Sequence, residues 1–365
     1  MALSAALRRV DFADLPGWDT DDHAAAFEAF RRCAHHAAVR PYRSGALGID
    51  SAAFQSAYEA ARRSGALGPD ESRAFFEHHF RPFAVAPGGK AGFVTGYYEP
   101  IVAASTERTS TFTFPLLARP DDLVDLDDRN RPADMDPSFA FGRSVSGAIV
   151  EYHDRAAIER GAVDHRVLAL AWLSDPVDLF FIHVQGAARL VFGDGTTRRF
   201  TYAAKSGHPF TGPGRVLAGL GEIAPEDVTM QSIRAWFRAN PGRIDEILWQ
   251  NRSYIFFREA PVADPDLGPI AAAKVPLTPG RSLAVDRLLH TFGTPVHVDA
   301  PQLAVDGRPF RRLMIAQDTG SAIVGAARGD LFFGSGDEAG EIAGTVRYPA
   351  GFYALVPNTL AGRAQ

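Results

Sequence analysis

The hydrophobic period of the chain changes at Gly92, and this change restricts the fold more than any other feature. Upstream, "TDDHAAAFEAFRRCAHHAA", "DSAAFQSAYEAARRSGAL" and "PDESRAFFEHHFRPF" carry apolar faces at helical spacing. Thr20 or Asp21, Asp50 and Asp70 serve as helix starts, and Pro82 as a stop. Downstream, "GFVTGYYEP", "TFTFPLLA" and "LFFIHVQGAARLVFGDGTTRRFTYAA" read as strands, and Asp194-Gly195 and Asp306-Gly307 signal hairpins between apolar runs. One later helical stretch, Met230 to Asn251, breaks at Pro241-Gly242 before "SYIFFRE" returns to strand. The expectation is a mainly β protein with N-terminal helices, and no fixed-period repeat points to a solenoid or propeller.

A chain of 365 residues at 46% hydrophobic can form two domains, or one domain carrying an insertion. Because "GYYEP" and "SYIFFRE" bracket a block with its own hairpin signals, residues 100–239 are expected as an inserted domain, with 1–99 and 240–365 forming the other. The formal charge of -5 is spread over 38 basic and 43 acidic residues without a basic block, which argues against nucleic acid as a partner. Cys33 stands alone, so neither an internal disulfide nor a thiolate metal site is expected. His35, His36, His78 and His79 have no acidic companions at ligand spacing and read as surface or satisfied histidines; no metal and no cofactor is expected. There is no phosphate loop, G-x-S-x-G elbow or H-E-x-x-H. The opening residues show no signal peptide, and no apolar run is long enough to span a bilayer.

The strongest chemical signal is "MIAQDTGSAIVGAARGDLFFG", Met314 to Gly334, which sets Asp318 and Asp330 on either side of a run of small residues, each where an apolar stretch meets a loop. Gly320, Gly325 and Gly329 permit positive φ and close approach of a ligand. Two carboxylates suit glycosidic cleavage, in which a general acid keeps its proton through burial or a neighbouring charge. Asp318 equally suits a turn cap over the amides of Thr319 to Ser321, and both roles are compatible. "GYYEP" places Glu99 beside Tyr97 and Tyr98, a combination that suits sugar binding but is also an ordinary strand end. His297 and Asp299 in "GTPVHVD" share a strand face and read as a structural pair.

With these residues in place, the sequence resembles the membrane-bound lytic murein transglycosylase A family from about Phe93 to the C-terminus. The resemblance rests on "GYYEP", "PLLARPDDLVDLD", "AIERGAV", "DPVDLFFIHVQGAARL", "YAAKSGHPF", "QSIRAWFRANP", "NRSYIFFRE" and "AQDTGSAIVGAARGDLFFGSGDEAGEIAG", in that order. Residues 281–365 look like the family's three-aspartate domain, with Asp286, Asp318 and Asp330 at its three positions. The resemblance implies a double-psi β-barrel domain made from both chain ends, a smaller inserted β domain, and a groove between them. It implies a lytic exotransglycosylase, a carbon–oxygen lyase that cuts the β-1,4 bond between N-acetylmuramic acid and N-acetylglucosamine and leaves 1,6-anhydromuramic acid ends.

By the same resemblance, Asp330 is the catalytic acid/base and Asp318 tunes it. Tyr97, Tyr98, Glu99, Gln185, Gly186, Lys205, Thr319 and Gly320 are then expected to bind the glycan strand of peptidoglycan, the implied partner. Two departures fall in the insert: the usual "QGSG" is "QGAA" at Gln185 to Ala188, and the usual "NGHPY" is "SGHPF", with Ser206 and Phe210. Many relatives are outer-membrane lipoproteins, so the resemblance implies a periplasmic or outer-membrane setting, but Cys33 in "FRRCAHH" lacks the context of a lipidation site. An inverting hydrolase using Asp330 and Asp318 about 6.5–9.5 Å apart, or a non-catalytic glycan-binding module, are the alternatives.

Overall fold

The computed structural model of the chain describes residues 2–86, 91–262 and 264–362. Asp22, one residue beyond the expected starts, caps α1 (His23–Val39), its side chain accepting from the amides of Ala24 and Ala25. Asp21 is used elsewhere: its carboxylate pairs with both terminal nitrogens of Arg281, at 2.9 and 2.8 Å, and takes the amide of Leu313. Asp50 caps a 3₁₀ turn that leads into α2 (Gln55–Arg63). α3 (Pro69–His79) opens on Pro69 rather than Asp70, since proline at the first helical position has its φ preset and no amide to satisfy. It ends at His79, and Pro82, the expected stop, lies inside a strand, Phe80–Val85.

The chain divides into two compact units, Met1–Tyr98 with Asp264–Gln365, and Glu99–Ala263. The first contains a closed ring of six strands: β1 (Gly92–Glu99), β2 (Ser282–Val285), β3 (Pro295–Val305), β4 (Arg308–Asp318), β5 (Arg328–Ser335) and β6 (Arg347–Pro357). The order around the ring is β6-β3-β4-β2-β5-β1, and β1 returns to β6 through pairs such as Tyr348 with Val94. β2 and β4 run parallel; β3 and β4 form a hairpin whose two-residue turn, Asp306-Gly307, has φ of 53° and 71°. Positive φ at both central residues matches the twist of the flanking strands, which is why Asp-Gly marks this turn. Phe80–Val85 adds to the far half of β6, and Leu7–Arg9 adds to it in turn.

The three helices and the barrel share one core. Phe27, Phe30, Phe54, Phe76 and Phe80 are fully buried with Val296, Val298, Leu313 and Ile315. Burial of each such side chain stabilises the fold by about 1.5–3 kcal/mol.

The second unit holds a four-stranded sheet made of Ile101–Ala104, Ala187–Phe192, Thr197–Lys205 and Ile255–Ala260. Its extent corrects the expected 100–239. Ile255–Ala260 pairs with Thr197–Lys205, and helices Met230–Ala239 and Ile244–Leu248 pack into the same unit through Ile233, Phe237, Ile247 and Leu248. Val94 to Tyr98 and Tyr254 to Phe257, expected within one domain, therefore belong to different units. "LFFIHV" is also corrected: it is helical, within α4 (Pro176–Gln185). Asp175 accepts the amide of Val177 and Pro176 occupies the first helical position, a start signal that outweighs the β-like composition of an apolar run buried nearly all round.

Candidate active site

A β-bulge places the first acid. Leu283 pairs with Ala316, but the next residue, Ala284, pairs with Asp318, so Gln317 is the extra residue in β4. Gln317 is held where it bulges: its amide donates to the carbonyl of Ala29 at 2.9 Å and to Cys33 Sγ at 3.2 Å, while its carbonyl accepts from Ser282 Oγ. On the other side of β2, Ala284 pairs with Asp330. Directly opposed residues of a sheet share a face, so Asp318, Ala284 and Asp330 line one face, the two acids two strand spacings apart, ~10 Å between Cα atoms. Tyr97, Leu277, Ala284 and Phe332 form an apolar cluster on that face, with the rings of Tyr97 and Phe332 5.2 Å apart.

β1 supplies a hydroxyl to each acid. Tyr97 Oη donates to Asp318 Oδ2 at 3.1 Å, and Thr95 Oγ1 donates to Asp330 Oδ1 at 2.5 Å. Asp318 Oδ1 takes the amide of Ala272 at 3.3 Å. Arg328, two residues before Asp330 on β5, donates through Nη2 to Thr95 Oγ1 at 2.8 Å and through Nη1 to the carbonyl of Gly329, and its guanidinium lies 5.6 Å from the ring of Phe93. Thr95 and Arg328 carry no motif of their own. The available signal was period: each stands two residues before a singled-out residue on the same strand, Tyr97 and Asp330, and so shares its face.

Both acids are half-buried. Burial pushes the Asp318 carboxyl up to about 6, aided by the charge of Asp330 and opposed by the amides of Thr319 and Ala272 and the Tyr97 hydroxyl. Asp330 is also raised by burial, against the Thr95 hydroxyl and the Arg328 guanidinium. Burial and the two acids lift Tyr97 well above the ordinary phenol range, which keeps its hydroxyl a donor. Burial thus raises both carboxyls, the direction that favours a general acid.

The third aspartate has a different task. Asp286 Oδ1 takes the amide of Leu288 at 3.0 Å and Oδ2 takes that of Gly325 at 2.9 Å, fastening the loop between Asp318 and Asp330. Thr319 ties the same loop down by donating from Oγ1 to the carbonyl of Val285 at 2.8 Å, and Gly320 lies exposed beside it. Gly325, with φ of 120°, uses its conformational freedom; Gly329 is needed for space, since a Cβ there would come within 2.8 Å of Leu283.

The other expected residues separate. Tyr98 points away from Tyr97, as strand neighbours must, and its ring lies against Gly340, where a Cβ would approach it to 2.8 Å. Glu99 is fully buried in the second unit between Arg189 (2.8 Å) and Arg199 (2.5 and 3.0 Å), so it is not the exposed sugar-holding acid read from "GYYEP". Gln185 and Gly186 end α4 in the same unit, Gly186 at φ 76°, and Lys205 ends the neighbouring strand. Ala188, in the variant "QGAA", is fully buried in that unit's core, and Ser206, in "SGHPF", exchanges backbone and hydroxyl bonds with Tyr254. His297 and Asp299 are structural, bonded to the carbonyl of Pro16 and to Arg311. Among the described residues no three His, Cys, Asp or Glu side chains converge as a metal set, and no helix is long and apolar enough to cross a membrane.

This arrangement has counterparts. The MltA specific insert domain matches residues 93–258, and the 3D domain matches residues 281–356. A membrane-bound lytic murein transglycosylase from Agrobacterium tumefaciens, known from its crystal structure, superposes with a TM-score of 0.93 at 51% identity, covering 98% of this chain and 99% of that one. The membrane-bound lytic murein transglycosylase A of Escherichia coli K12 is 34% identical over 256 residues, 68% of this chain, and the match spans 61% of that protein's length. A crystal structure of E. coli MltA with bound chitohexaose superposes with a TM-score of 0.66 at 27% identity, over 90% of this chain and 89% of that one.

Proposed function

Since the chain belongs to the membrane-bound lytic murein transglycosylase A family, we propose that it cleaves the β-1,4 bond between N-acetylmuramic acid and N-acetylglucosamine in peptidoglycan without consuming water. The observation that carries this reading is the pair of half-buried acids flanking Ala284, both with raised pKa. Protonated Asp330 donates to the glycosidic oxygen as the bond to C1 breaks and its electron pair leaves with that oxygen. The carboxylate so formed takes the proton of the muramoyl C6 hydroxyl as this oxygen attacks C1. One carboxyl serves both transfers, and a nucleophile tethered to the reacting sugar replaces a positioned water. Asp318, held by Tyr97 and the Ala272 amide, supplies negative charge toward the positive charge that develops at C1.

The glycan partner is proposed on the same grounds, supported by the chitohexaose seen in the E. coli relative. Thr319 and Gly320 of the first unit, and separately Gln185, Gly186 and Lys205 of the second, are proposed as glycan contacts, with exolytic release of disaccharide units and a periplasmic or outer-membrane setting. Mass spectrometry of products from purified peptidoglycan tests the reading: muropeptides one water lighter than their reducing-end counterparts are expected. Reducing sugars would establish a hydrolase, and binding without cleavage a glycan-binding module. A product set dominated by internal cuts would overturn the exolytic mode.

A further inference from the structure

We propose that Thr95 and Arg328 are positioning residues that fix which oxygen of Asp330 carries the transferred proton: Oδ1 is kept as a hydrogen-bond acceptor, and Oδ2 performs both transfers. The inference rests on the transglycosylase reading for its chemistry, though not for its geometry.

A threonine hydroxyl has one hydrogen and two lone pairs, whereas a guanidinium has donors only. The contact of 2.8 Å between Arg328 Nη2 and Thr95 Oγ1 therefore fills a lone pair of the hydroxyl and turns its hydrogen away from Arg328. The hydroxyl's other partner is Asp330 Oδ1, at 2.5 Å. If Oδ1 carried the acid's proton and gave it to Thr95, both lone pairs would be filled and the hydroxyl hydrogen would have no acceptor among the described residues. The stable arrangement runs in one direction, from Arg328 to Thr95 to Asp330 Oδ1. It leaves Oδ2 as the site of the proton in the neutral acid and of its return after cleavage, with Oδ1 accepting in both states.

The same chain of donors limits how far the acid's pKa rises. Asp330 faces Asp318 and the Tyr97 hydroxyl across the sheet, Thr95 from β1 and Arg328 from its own strand. Thr95 and Arg328 favour the ionised form, so that Asp330 can release its proton to a poorly basic glycosidic oxygen.

The test is a set of three variants of the whole chain. Thr95→Val keeps the shape and removes the hydroxyl; kcat should fall ~10- to 100-fold, the range for a hydrogen bond to a charged group, with KM changed less than about threefold. Its alkaline limb in kcat should move to higher pH. Thr95→Ser should restore both kcat and the pH profile, and Arg328→Gln should lower kcat and move the limb in the same direction as Thr95→Val. Wild-type behaviour of Thr95→Val, or a Thr95→Ser variant as impaired as it, would overturn the proposal and leave Thr95 a packing residue. Carbon-13 titration of the Asp330 carboxyl separates this inference from the activity it serves. Should the wild-type chain digest no peptidoglycan, the transglycosylase reading fails, yet a higher Asp330 pKa in Thr95→Val and Arg328→Gln, restored in Thr95→Ser, still supports the positioning role. An unmoved carboxyl pKa refutes it.

Discussion

Glu99 in the inserted unit and Asp330 in the barrel unit are both carboxylates drawn out of water on a sheet, but their surroundings differ in charge. Glu99 meets two guanidiniums, Arg189 and Arg199, and accepts hydrogen bonds from both. Asp330 shares its face with a second acid, Asp318, and with one guanidinium, Arg328, which bonds to Thr95 rather than to the carboxylate. In the first cluster the guanidiniums bond the carboxylate directly and fix it in place. In the second, anions exceed cations, so the cheapest way to relieve burial is to retain a proton. Direct bonding to guanidiniums, rather than the presence of a carboxylate, separates a structural ion cluster from a site able to transfer protons.

The sharpest test of this contrast is Asp330→Asn. Loss of the transferred proton should lower the rate of anhydromuropeptide release by ~10²–10⁴-fold or more, while the thermal melt stays at or above that of the wild type. An undiminished rate would place the catalytic acid elsewhere. The complementary change, Glu99→Gln, should act on the fold: it removes the buried carboxylate charge that Arg189 and Arg199 bond and should reduce stability by ~3–5 kcal/mol, read as a lower denaturation midpoint. A Glu99→Gln variant as stable as the wild type would erase the distinction between the clusters.

Asp318→Asn should reduce activity less than Asp330→Asn, because Asp318 tunes charge without carrying the proton. Its effect on stability depends on pH. The Asp318 carboxyl is raised from 3.8 to about 6, so the folded state binds the proton more tightly than the unfolded chain does. Stability from this group is fully present below about pH 4 and is lost as pH rises towards 6. The asparagine variant should therefore match the wild type at acid pH and exceed it above pH 6 by ~1–3 kcal/mol, each pKa unit being worth about 1.4 kcal/mol. Denaturation midpoints at pH 4 and pH 7.5 decide the matter; a constant difference would refute the raised pKa.

The smallest expected effect belongs to Tyr97→Phe, which keeps the ring against Phe332 and removes one donor to Asp318. A loss of ~0.5–1.5 kcal/mol in stability at neutral pH is expected. Asp318 should then titrate at higher pH, observable in its carboxyl chemical shift.

Much of the fold was legible. Asp306-Gly307 makes its hairpin, the Met230 to Asn251 stretch breaks at Pro241-Gly242, and the segment from Met314 to Gly334 contains both acids of the site. What could not be read has a common cause. The bulge at Gln317 depends on Ala29, Cys33 and Ser282, residues remote in sequence. The choice of Tyr97 over Tyr98 depends on which face of β1 meets β5. Glu99 looked suited to sugar because its two arginines stand 90 and 100 residues away.

The amino-acid sequence by itself determined the helical start and the mainly β character after it, the turn at each Asp-Gly pair, and the candidacy of Asp318 and Asp330, because periodicity, turn conformation and residue chemistry act over a few neighbouring residues. Tertiary structure alone decided that the two acids straddle Ala284, that Thr95 and Arg328 join them, that Asp286 ties down their loop, and that Glu99 is neutralised. These outcomes depend on strand register: one residue of slip turns every side chain to the opposite face, and register is set by the packing of the whole barrel rather than by any segment within it.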